Sequence, residues 1–367
     1  MMKKTLVVLA IAICAAAASM PLWKPAAKRH FKWFVVSTNI YQDTLRRVHL
    51  RSDQINQPDY SRHPTSDVPI YVDRANSTFA RYQTYGGLTN ERLQGARVLE
   101  IGPGESLGVA LRFVGAGASH VVAVDKFVPL QRSPFHQTVY GTLTSGLDEA
   151  SRGRIAAAVN LRDDVALDMR RMSYVYGKGI DEAVAEYPAE FFDAIVSNAV
   201  LEEVYDLDRT FAALDRVLKP GGRQVHVIDL RDYGMFSKHG FHPLEFLTVP
   251  DSVYRHMVES VGQPNRRLVD YYRDRMASLG YSSSIYTTWI LGQPSPPTIF
   301  RTNIQRGQDY SDESLALVRS IRPRLLPRFQ KLADEDLIVQ SIILAVEKRR
   351  DPSARTASAS AGVGAGQ

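Results

Sequence analysis

Residues 96–126 read ARVLEIGPGESLGVALRFVGAGASHVVAVDK and decide the fold of this chain. A short apolar strand at residues 98–101 leads into a glycine turn at residues 102–104, and a helix-like run follows. A second apolar strand, residues 121–124, ends on Asp125. Such strand–turn–helix–strand units bind a nucleoside-bearing cofactor where the first strand stops, because glycine lets the backbone approach the ligand. The carboxylate at the end of the second strand can then accept hydrogen bonds from both ribose hydroxyls.

The spacing of the glycines separates two classes of cofactor. Dinucleotide-binding folds use G-x-G-x-x-G, whose third glycine allows the helix to pack closely beneath a pyrophosphate. Residues 102–108 read G-x-G-x-x-x-G, with Glu100 two residues before the turn and Glu105 after its second glycine. Two carboxylates repel a diphosphate but suit a ligand that carries an ammonium and a sulfonium. The alternative interpretation is an ordinary tight turn between a strand and a helix, with no role in ligand binding.

Residues 98–104, V-L-E-I-G-x-G, resemble the first motif of class I S-adenosylmethionine-dependent methyltransferases. Residues 192–202, F-D-x-I-V-S-N-x-V-L-E, and the L-K-P-G-G turn at residues 218–222 are similar to small-molecule members of that family. Many relatives have L-E-H-V where residues 201–204 read L-E-E-V, so a cofactor-adjacent histidine is missing. The resemblance implies an α/β fold, a Rossmann-like seven-stranded methyltransferase sheet with an N-terminal extension and an antiparallel last strand.

The resemblance also implies which residues hold the cofactor, S-adenosylmethionine. In this family the residues just past the third strand, here Gly179, Ile180 and Asp181, bind the adenine edge through backbone amides. The predicted cofactor-binding residues are Glu100, Gly102, Gly104, Ser106, Asp125, Lys126, Ile180 and Asn198.

Candidate catalytic residues follow the fifth strand, where open α/β sheets bind ligands. Residues 228–247 resemble a methyltransferase subgroup found near polysaccharide and cell-surface glycan enzymes. Methyl transfer to a hydroxyl needs alignment and, for some acceptors, a base. The candidates are Asp229, Asp232, His239 and His242, each of which has a structural alternative. The sequence predicts transfer to an oxygen of a glycan, glycolipid or small metabolite; the alternative is a non-catalytic binding or scaffolding protein at the membrane.

The N-terminus carries an apolar leader. Two lysines precede an uncharged run of 19 residues, 5–23, which fits a secretory signal with an A-x-A cleavage pattern, a membrane anchor or a short buried helix. S-adenosylmethionine is made and kept inside cells. The basic residues after the run also outnumber those before it: Lys24, Lys28, Arg29 and Lys32. The positive-inside rule therefore favours an anchored enzyme that faces the cytoplasm, with export after signal cleavage as the alternative.

Composition fits a globular enzyme that acts on a small molecule or a glycan. Of 367 residues, 44% are hydrophobic and 23% charged, and the arginines are interspersed with acids, so no nucleic-acid-binding stripe is present. The only cysteine, Cys14, lies in the leader and excludes disulfides and a cysteine-based metal site. We predict a leader (1–23), a cap or linker (24–90), a methyltransferase domain (91–350) and a disordered tail (351–367).

Periodicity predicts further elements within this division. Residues 71–93 fit a helix or lid beside the cofactor site, residues 141–146 a loop, and residues 147–159 a helix. Residues 282–290 and 337–346 fit two antiparallel strands at the edge of the sheet.

Overall fold

The computed structural model describes residues 31–50, 67–126, 134–161, 165–260, 262–293 and 300–350. The predicted leader and tail lie outside the described residues. Within these ranges, no helix is both long and apolar enough to cross a bilayer.

A seven-stranded sheet forms the centre of the molecule, in the order β5-β2-β1-β6-β7-β9-β8. The strands are parallel except for β9, which runs antiparallel to both β7 and β8. The prediction of a seven-stranded methyltransferase-type sheet with antiparallel last strands is therefore confirmed. The strand bounds are β1 (Arg97–Ile101), β2 (His120–Asp125), β5 (Met172–Tyr176), β6 (Phe192–Asn198), β7 (Leu218–Asp229), β8 (Ser282–Ile290) and β9 (Val339–Glu347), with a separate hairpin of β3 (Val159–Asn160) and β4 (Ala166–Leu167).

Helices cover both faces of this sheet. In chain order they are α1 (Lys32–Leu50), α2 (Val68–Gly86), α3 (Asn90–Leu93), α4 (Gly108–Gly115), α5 (Pro134–Ser145), α6 (Glu149–Ala156), α7 (Ile180–Ala185), α8 (Leu207–Val217), α9 (Asp251–Val258), α10 (Val269–Ser278), α11 (Asp312–Ile321), α12 (Pro327–Gln330) and α13 (Asp334–Ile338). Short 3₁₀ turns occupy Leu201–Glu203, Ser237–His239, Glu245–Thr248 and Arg322–Arg324.

Alternation along β1 divides the core in two. Leu99 and Ile101 pack with α1 and α7 to α10, whereas Val98 packs with α2 and α4 to α6 on the opposite face. Successive strand residues point to opposite faces, so a single buried strand feeds both clusters. Glu100 points to the same face as Val98 and is the buried acid of that strand.

Strand order places a crevice beside β1. The chain runs from β1 outward to β2 and β5 and then returns to the other side of β1 as β6. In open α/β sheets, ligands bind at the carboxyl ends of the strands where the order reverses in this way. The glycine turn follows β1 directly and therefore lies at this position.

Local predictions had mixed outcomes. A helix within residues 71–93 is confirmed as α2, and the helix within residues 147–159 is confirmed as the shorter α6, which begins after the N-cap Asp148. The loop predicted at residues 141–146 is wrong, because α5 continues to Ser145. The buried side chains of Tyr140 and Leu143 hold this part of the chain as helix. A Cβ on Gly141 would meet no atom within 4 Å, so no close contact requires glycine there. The last strand begins later than predicted, after α13.

Candidate active site

Two cavities open at the carboxyl ends of β1, β2 and β6 and meet at the glycine turn. The α2 cavity has a volume of about 600 Å³ and is lined by α2, the turn and the end of β6. The β2 cavity has a volume of about 440 Å³ and is lined by the end of β2, the start of α7 and the segment before α8. Both include Gly102, Gly104, Ala199 and Glu203, so the two cavities are continuous with the turn and an elongated ligand lying across it would contact both.

All eight predicted cofactor residues line these cavities. Glu100, Ser106 and Asn198 line the α2 cavity. Asp125, Lys126 and Ile180 line the β2 cavity, and the two glycines line both. These residues come from four separate segments of the chain, and the sheet topology brings them together.

The two glycines of the turn are needed for different reasons. Gly102 has φ +66°, and a Cβ on it would lie 2.3 Å from Cγ2 of Val200. Gly104 has φ +64°, but a Cβ there would meet no atom within 4 Å. The first glycine is therefore required by the protein's own packing. The absence of a side chain at the second glycine leaves open space where the two cavities meet, and we call this space the cradle. A side chain at residue 104 would fill it.

Asp125 ends β2 with its carboxylate beside the turn. Its Oδ2 accepts a hydrogen bond from the Gly104 N–H at 3.3 Å. Across the cavity, α7 begins at Ile180, and the Asp181 carboxylate pairs with Arg209 at 2.6 Å. Asp125 thus presents a carboxylate in the cavity opposite the first backbone amides of a helix.

Glu100 is a buried acid in the wall of the α2 cavity. Burial first, and the negative charge of Asp125 second, raise the pKa of Glu100 to about 8. Its Oε2 has no hydrogen-bond partner among the described residues. An unpaired buried carboxylate oxygen is costly, which marks a site where a ligand cation or donor would be stabilising.

Helices α2 and α5 hold the turn after β1. The Tyr71 hydroxyl of α2 donates a hydrogen bond to the Glu105 carboxylate. Nε2 of His136 lies 2.7 Å from the Glu105 carbonyl oxygen, and the Leu107 N–H donates to the Tyr140 hydroxyl at 2.9 Å. Both α5 residues are buried. The turn is therefore held by side chains of two helices, α2 and α5, that lie outside the first sequence motif.

The four candidate catalytic residues lie outside both cavity linings. Asp229 pairs with Arg231 at 2.6 Å. Buried Asp232 accepts hydrogen bonds from the N–H groups of Gly234, Phe236 and Ser237 and from the Ser237 hydroxyl. These bonds hold the turn after β7 and use both carboxylate oxygens of Asp232.

Histidines 239 and 242 lie farther along the same segment. Nδ1 of His242 accepts from the Leu244 N–H at 3.0 Å, and Nε2 lies 3.0 Å from the Leu317 carbonyl oxygen. This arrangement fits a neutral imidazole, and burial lowers the pKa of His242. His239 ends a 3₁₀ turn. The catalytic role of all four residues stays a prediction, while Asp232 and His242 have a structural role in this fold.

The α2 cavity also contains functional candidates that the sequence motifs missed. Tyr71, Arg74 and Thr78 project into it from α2, and Arg74 lies over the Tyr71 ring at 5.5 Å. Arg74 is the only cationic side chain in the described lining of this cavity. No motif marks these residues, because their position depends on how α2 packs against α4. Glu203, by contrast, lies within the L-E-E-V block.

Comparison with known proteins identifies a family. The family described as methyltransferase domain matches residues 77–274, more than half of the chain. The search of curated proteins finds no match. Similar solved structures include an S-adenosylmethionine-dependent methyltransferase from Mesorhizobium loti, with 17% identity over 70% of this chain and 92% of that chain and a TM-score of 0.35.

Two further solved structures are similar at the same level. Haemonchus contortus phosphoethanolamine N-methyltransferase 2, in complex with S-adenosyl-L-methionine, has 13% identity over 80% of this chain and 59% of that chain and a TM-score of 0.38. A cyclopropane-fatty-acyl-phospholipid synthase-like protein from Lactobacillus casei has 12% identity over 78% of this chain and 94% of that chain and a TM-score of 0.42. These likenesses carry no information about the acceptor of this chain.

Proposed function

Because this chain belongs to the methyltransferase-domain family and is an S-adenosylmethionine-dependent enzyme, we propose that it methylates an oxygen of a glycan, glycolipid or small metabolite. The observation that carries this proposal is the pair of cavities that meet at Gly104. The β2 cavity contains Asp125, a carboxylate suited to the hydroxyls of a ribose. The α2 cavity is lined by hydroxyl, amide and carboxylate groups. Tyr71, Thr78 and Asn198 give a hydroxylated acceptor hydrogen-bond partners.

The cofactor fits the residues at the turn. The open cradle at Gly104 leaves room for it, and the unpaired oxygen of Glu100 offers an acceptor for its ammonium. Asp125 would accept the ribose hydroxyls, and the backbone at Gly179 and Ile180 would bind the adenine edge. When bound, S-adenosylmethionine supplies a methyl group activated by a positively charged sulfonium. The residues of this chain then have to orient an acceptor oxygen and exclude water.

We expect cofactor binding to release a proton from Glu100. With its pKa raised to about 8, the free carboxyl is mostly protonated at pH 7, and a bound cation stabilises the carboxylate and lowers that pKa. Affinity should therefore rise with pH, by up to about tenfold per unit, between about pH 6 and about pH 7.5. Titration calorimetry in buffers of different ionisation enthalpy measures the released proton directly.

Glu202 provides the matched control for this measurement. It is equally buried, and burial raises its pKa to about 8 as well, but it lies outside both cavity linings. Glu100→Gln should abolish proton release, whereas Glu202→Gln should retain it. Proton release that persists in Glu100→Gln would show that another group titrates.

We expect Arg74→Ala to weaken S-adenosylmethionine binding by roughly 10- to 100-fold. The cofactor carries a carboxylate, Arg74 is the one cation in the described lining of the α2 cavity, and a hydrogen bond to a charged group contributes about 1.5–3 kcal/mol. Calorimetry gives the dissociation constant. Arg81→Ala, on the same helix but outside both linings, should leave it unchanged.

A different result for Arg74→Ala would reassign the side chain. If the cofactor affinity is unchanged while KM for the acceptor rises, Arg74 binds an anionic group of the acceptor. If neither quantity changes, Arg74 has no part in binding.

Turnover with candidate acceptors tests the proposed function. The purified full-length enzyme is incubated with methyl-labelled S-adenosylmethionine and a panel of sugars, glycolipids and hydroxylated metabolites, each paired with an amine analogue. Accumulation of S-adenosylhomocysteine with labelled O-methyl product is the expected result. Preferential methylation of the amines would contradict oxygen as the acceptor. Tight cofactor binding without turnover on any acceptor would favour the scaffolding alternative.

We further propose that residues 5–23 hold the enzyme at a membrane with its body facing the cytoplasm. The support is the 19-residue uncharged run and the basic residues that follow it. Cell fractionation tests this location. The full-length chain should sediment with membranes and resist salt extraction, and a shortened mature protein in a periplasmic extract would establish export instead.

A further inference from the structure

Aromatic side chains are exposed along the first described helix and at the residue just before it. Phe31, Trp33 and Tyr41 are 66%, 60% and 63% exposed, and only Met169 among the other exposed large apolar side chains of the described ranges reaches 60%. Trp33, Ser37 and Tyr41 follow one another at intervals of four residues and share one face of α1. Trp33 and Tyr41 thus share one exposed face of α1, and Phe31 lies exposed just before the helix begins. Large exposed apolar side chains grouped in this way mark an interaction surface.

The opposite face of α1 is fixed to the domain. Val35 and Val36 are buried in the core, and Lys32 pairs with buried Glu245 at 2.9 Å. Near its other end, buried Asp43 accepts a hydrogen bond from the Ser260 N–H. The helix is therefore part of the folded domain, and its packing determines which face it presents outward.

The sequence before α1 indicates what covers the aromatic face. Residues 5–23 form the uncharged run, and residues 24–31 join it to the helix. Eight residues span at most about 28 Å when fully extended, so a membrane-inserted run keeps Phe31 close to the bilayer surface. The joining segment carries Lys24, Lys28 and Arg29, which complement anionic lipid headgroups.

We propose that α1 lies on an anionic phospholipid bilayer with Phe31, Trp33 and Tyr41 in the headgroup region. Tryptophan and tyrosine favour this region because their rings are apolar and their N–H or O–H groups bind water and headgroups. The inference rests on the proposed anchoring through residues 5–23 and adds a second contact, from the folded domain itself.

This contact would also orient the active site. Arg47 of α1 lies 3.5 Å from the carboxylate of Glu259, and Glu259 and Gly262 line the β2 cavity. The segment that binds α1 is thus the same segment that forms one wall of that cavity. A helix held on the bilayer would present the cavities at a fixed angle to the lipid surface.

Tryptophan fluorescence of the full chain in lipid vesicles tests the proposal. The chain has three tryptophans, 23, 33 and 289, so Trp23→Phe with Trp289→Phe leaves native Trp33 as the only reporter. The vesicles contain phosphatidylcholine and phosphatidylglycerol brominated near the headgroup. We expect Trp33 emission to fall by roughly twofold or more relative to vesicles of unbrominated lipid, because bromine quenches only at contact distance.

The matched control moves the reporter to the other face of the sheet. Trp33→Phe with Ile70→Trp, in the same background, places the only tryptophan at an exposed position of α2, whose buried face belongs to the opposite core cluster. This control should show little quenching. Equal quenching of both proteins, or of neither while both float with the vesicles, would overturn the proposed contact and leave the anchor intact. A chain that does not float would overturn both, and its cofactor affinity would still report separately on the methyltransferase.

Discussion

Replacing Asp125 with alanine is expected to weaken S-adenosylmethionine binding by about 100-fold or more. The side chain lies in the β2 cavity at the end of β2, and its carboxylate is the predicted acceptor for both ribose hydroxyls. Each hydrogen bond to a charged acceptor contributes about 1.5–3 kcal/mol, so losing two costs about 3 kcal/mol or more. Calorimetric titration of the variant gives the dissociation constant.

The same substitution has a second expected result. The charge of Asp125 is the second cause of the raised pKa of Glu100, so its removal should lower that pKa and reduce proton release on binding. The cofactor affinity of Asp125→Asn should lie between those of the wild type and Asp125→Ala, because asparagine keeps a hydrogen-bonding side chain but loses the charge. Asp168→Ala is the control, since Asp168 pairs with Arg170 away from both cavities. A dissociation constant for Asp125→Ala within threefold of the wild type would contradict the ribose assignment.

Alanine at Gly104 should abolish measurable cofactor binding while the protein stays folded. The cradle at Gly104 has no protein atom within 4 Å of an added Cβ, so the methyl group would occupy space predicted for the ligand. The positive φ of +64° adds a conformational cost of about 1–2 kcal/mol. Thermal unfolding and calorimetric titration of the same preparation separate the effect on stability from the effect on binding.

Two other glycines complete this experiment. Gly95 has φ +71°, also has no neighbour within 4 Å of an added Cβ, and lies outside both cavities. Gly95→Ala should therefore lower stability as much as Gly104→Ala and leave binding intact. Gly102→Ala should lower stability further, because its Cβ would clash with Val200 at 2.3 Å. Normal cofactor affinity in Gly104→Ala would place the ligand elsewhere.

Much of the sheet could be predicted because its information is local. The apolar strands, the glycines with positive φ and the acid at the end of β2 all lie within residues 96–126. The motifs at residues 192–202 and 218–222 predicted the strands observed as β6 and β7. The two strands at the edge of the sheet, β8 and β9, pair antiparallel as predicted. The loop predicted at residues 141–146 was wrong because buried side chains of α5, rather than local glycine content, determine that segment.

The predicted catalytic cluster shows the limit of such arguments. Asp229 is the last residue of β7, the fifth strand in the sequence prediction, and the other three candidates, Asp232, His239 and His242, follow it in the chain. Which groups they bind depends on backbone dihedrals that the sequence does not reveal. Asp232 accepts hydrogen bonds from the backbone N–H groups of Gly234, Phe236 and Ser237. Nε2 of His242 lies 3.0 Å from a carbonyl oxygen of α11. Spacing along the chain could not distinguish these contacts from contacts with a ligand.

The sequence by itself determined the family, the cofactor and the turn that is predicted to bind it. These depend on short segments in which residue type alone sets the backbone conformation and the available charge. Only the tertiary structure decided which side chains of α2 line the α2 cavity and which side chains of α1 are exposed. Arg74 reaches the α2 cavity, and Trp33 faces outward, because their helices pack against elements distant in the sequence. Such packing is set by the complementary surfaces of whole elements, which no local pattern encodes.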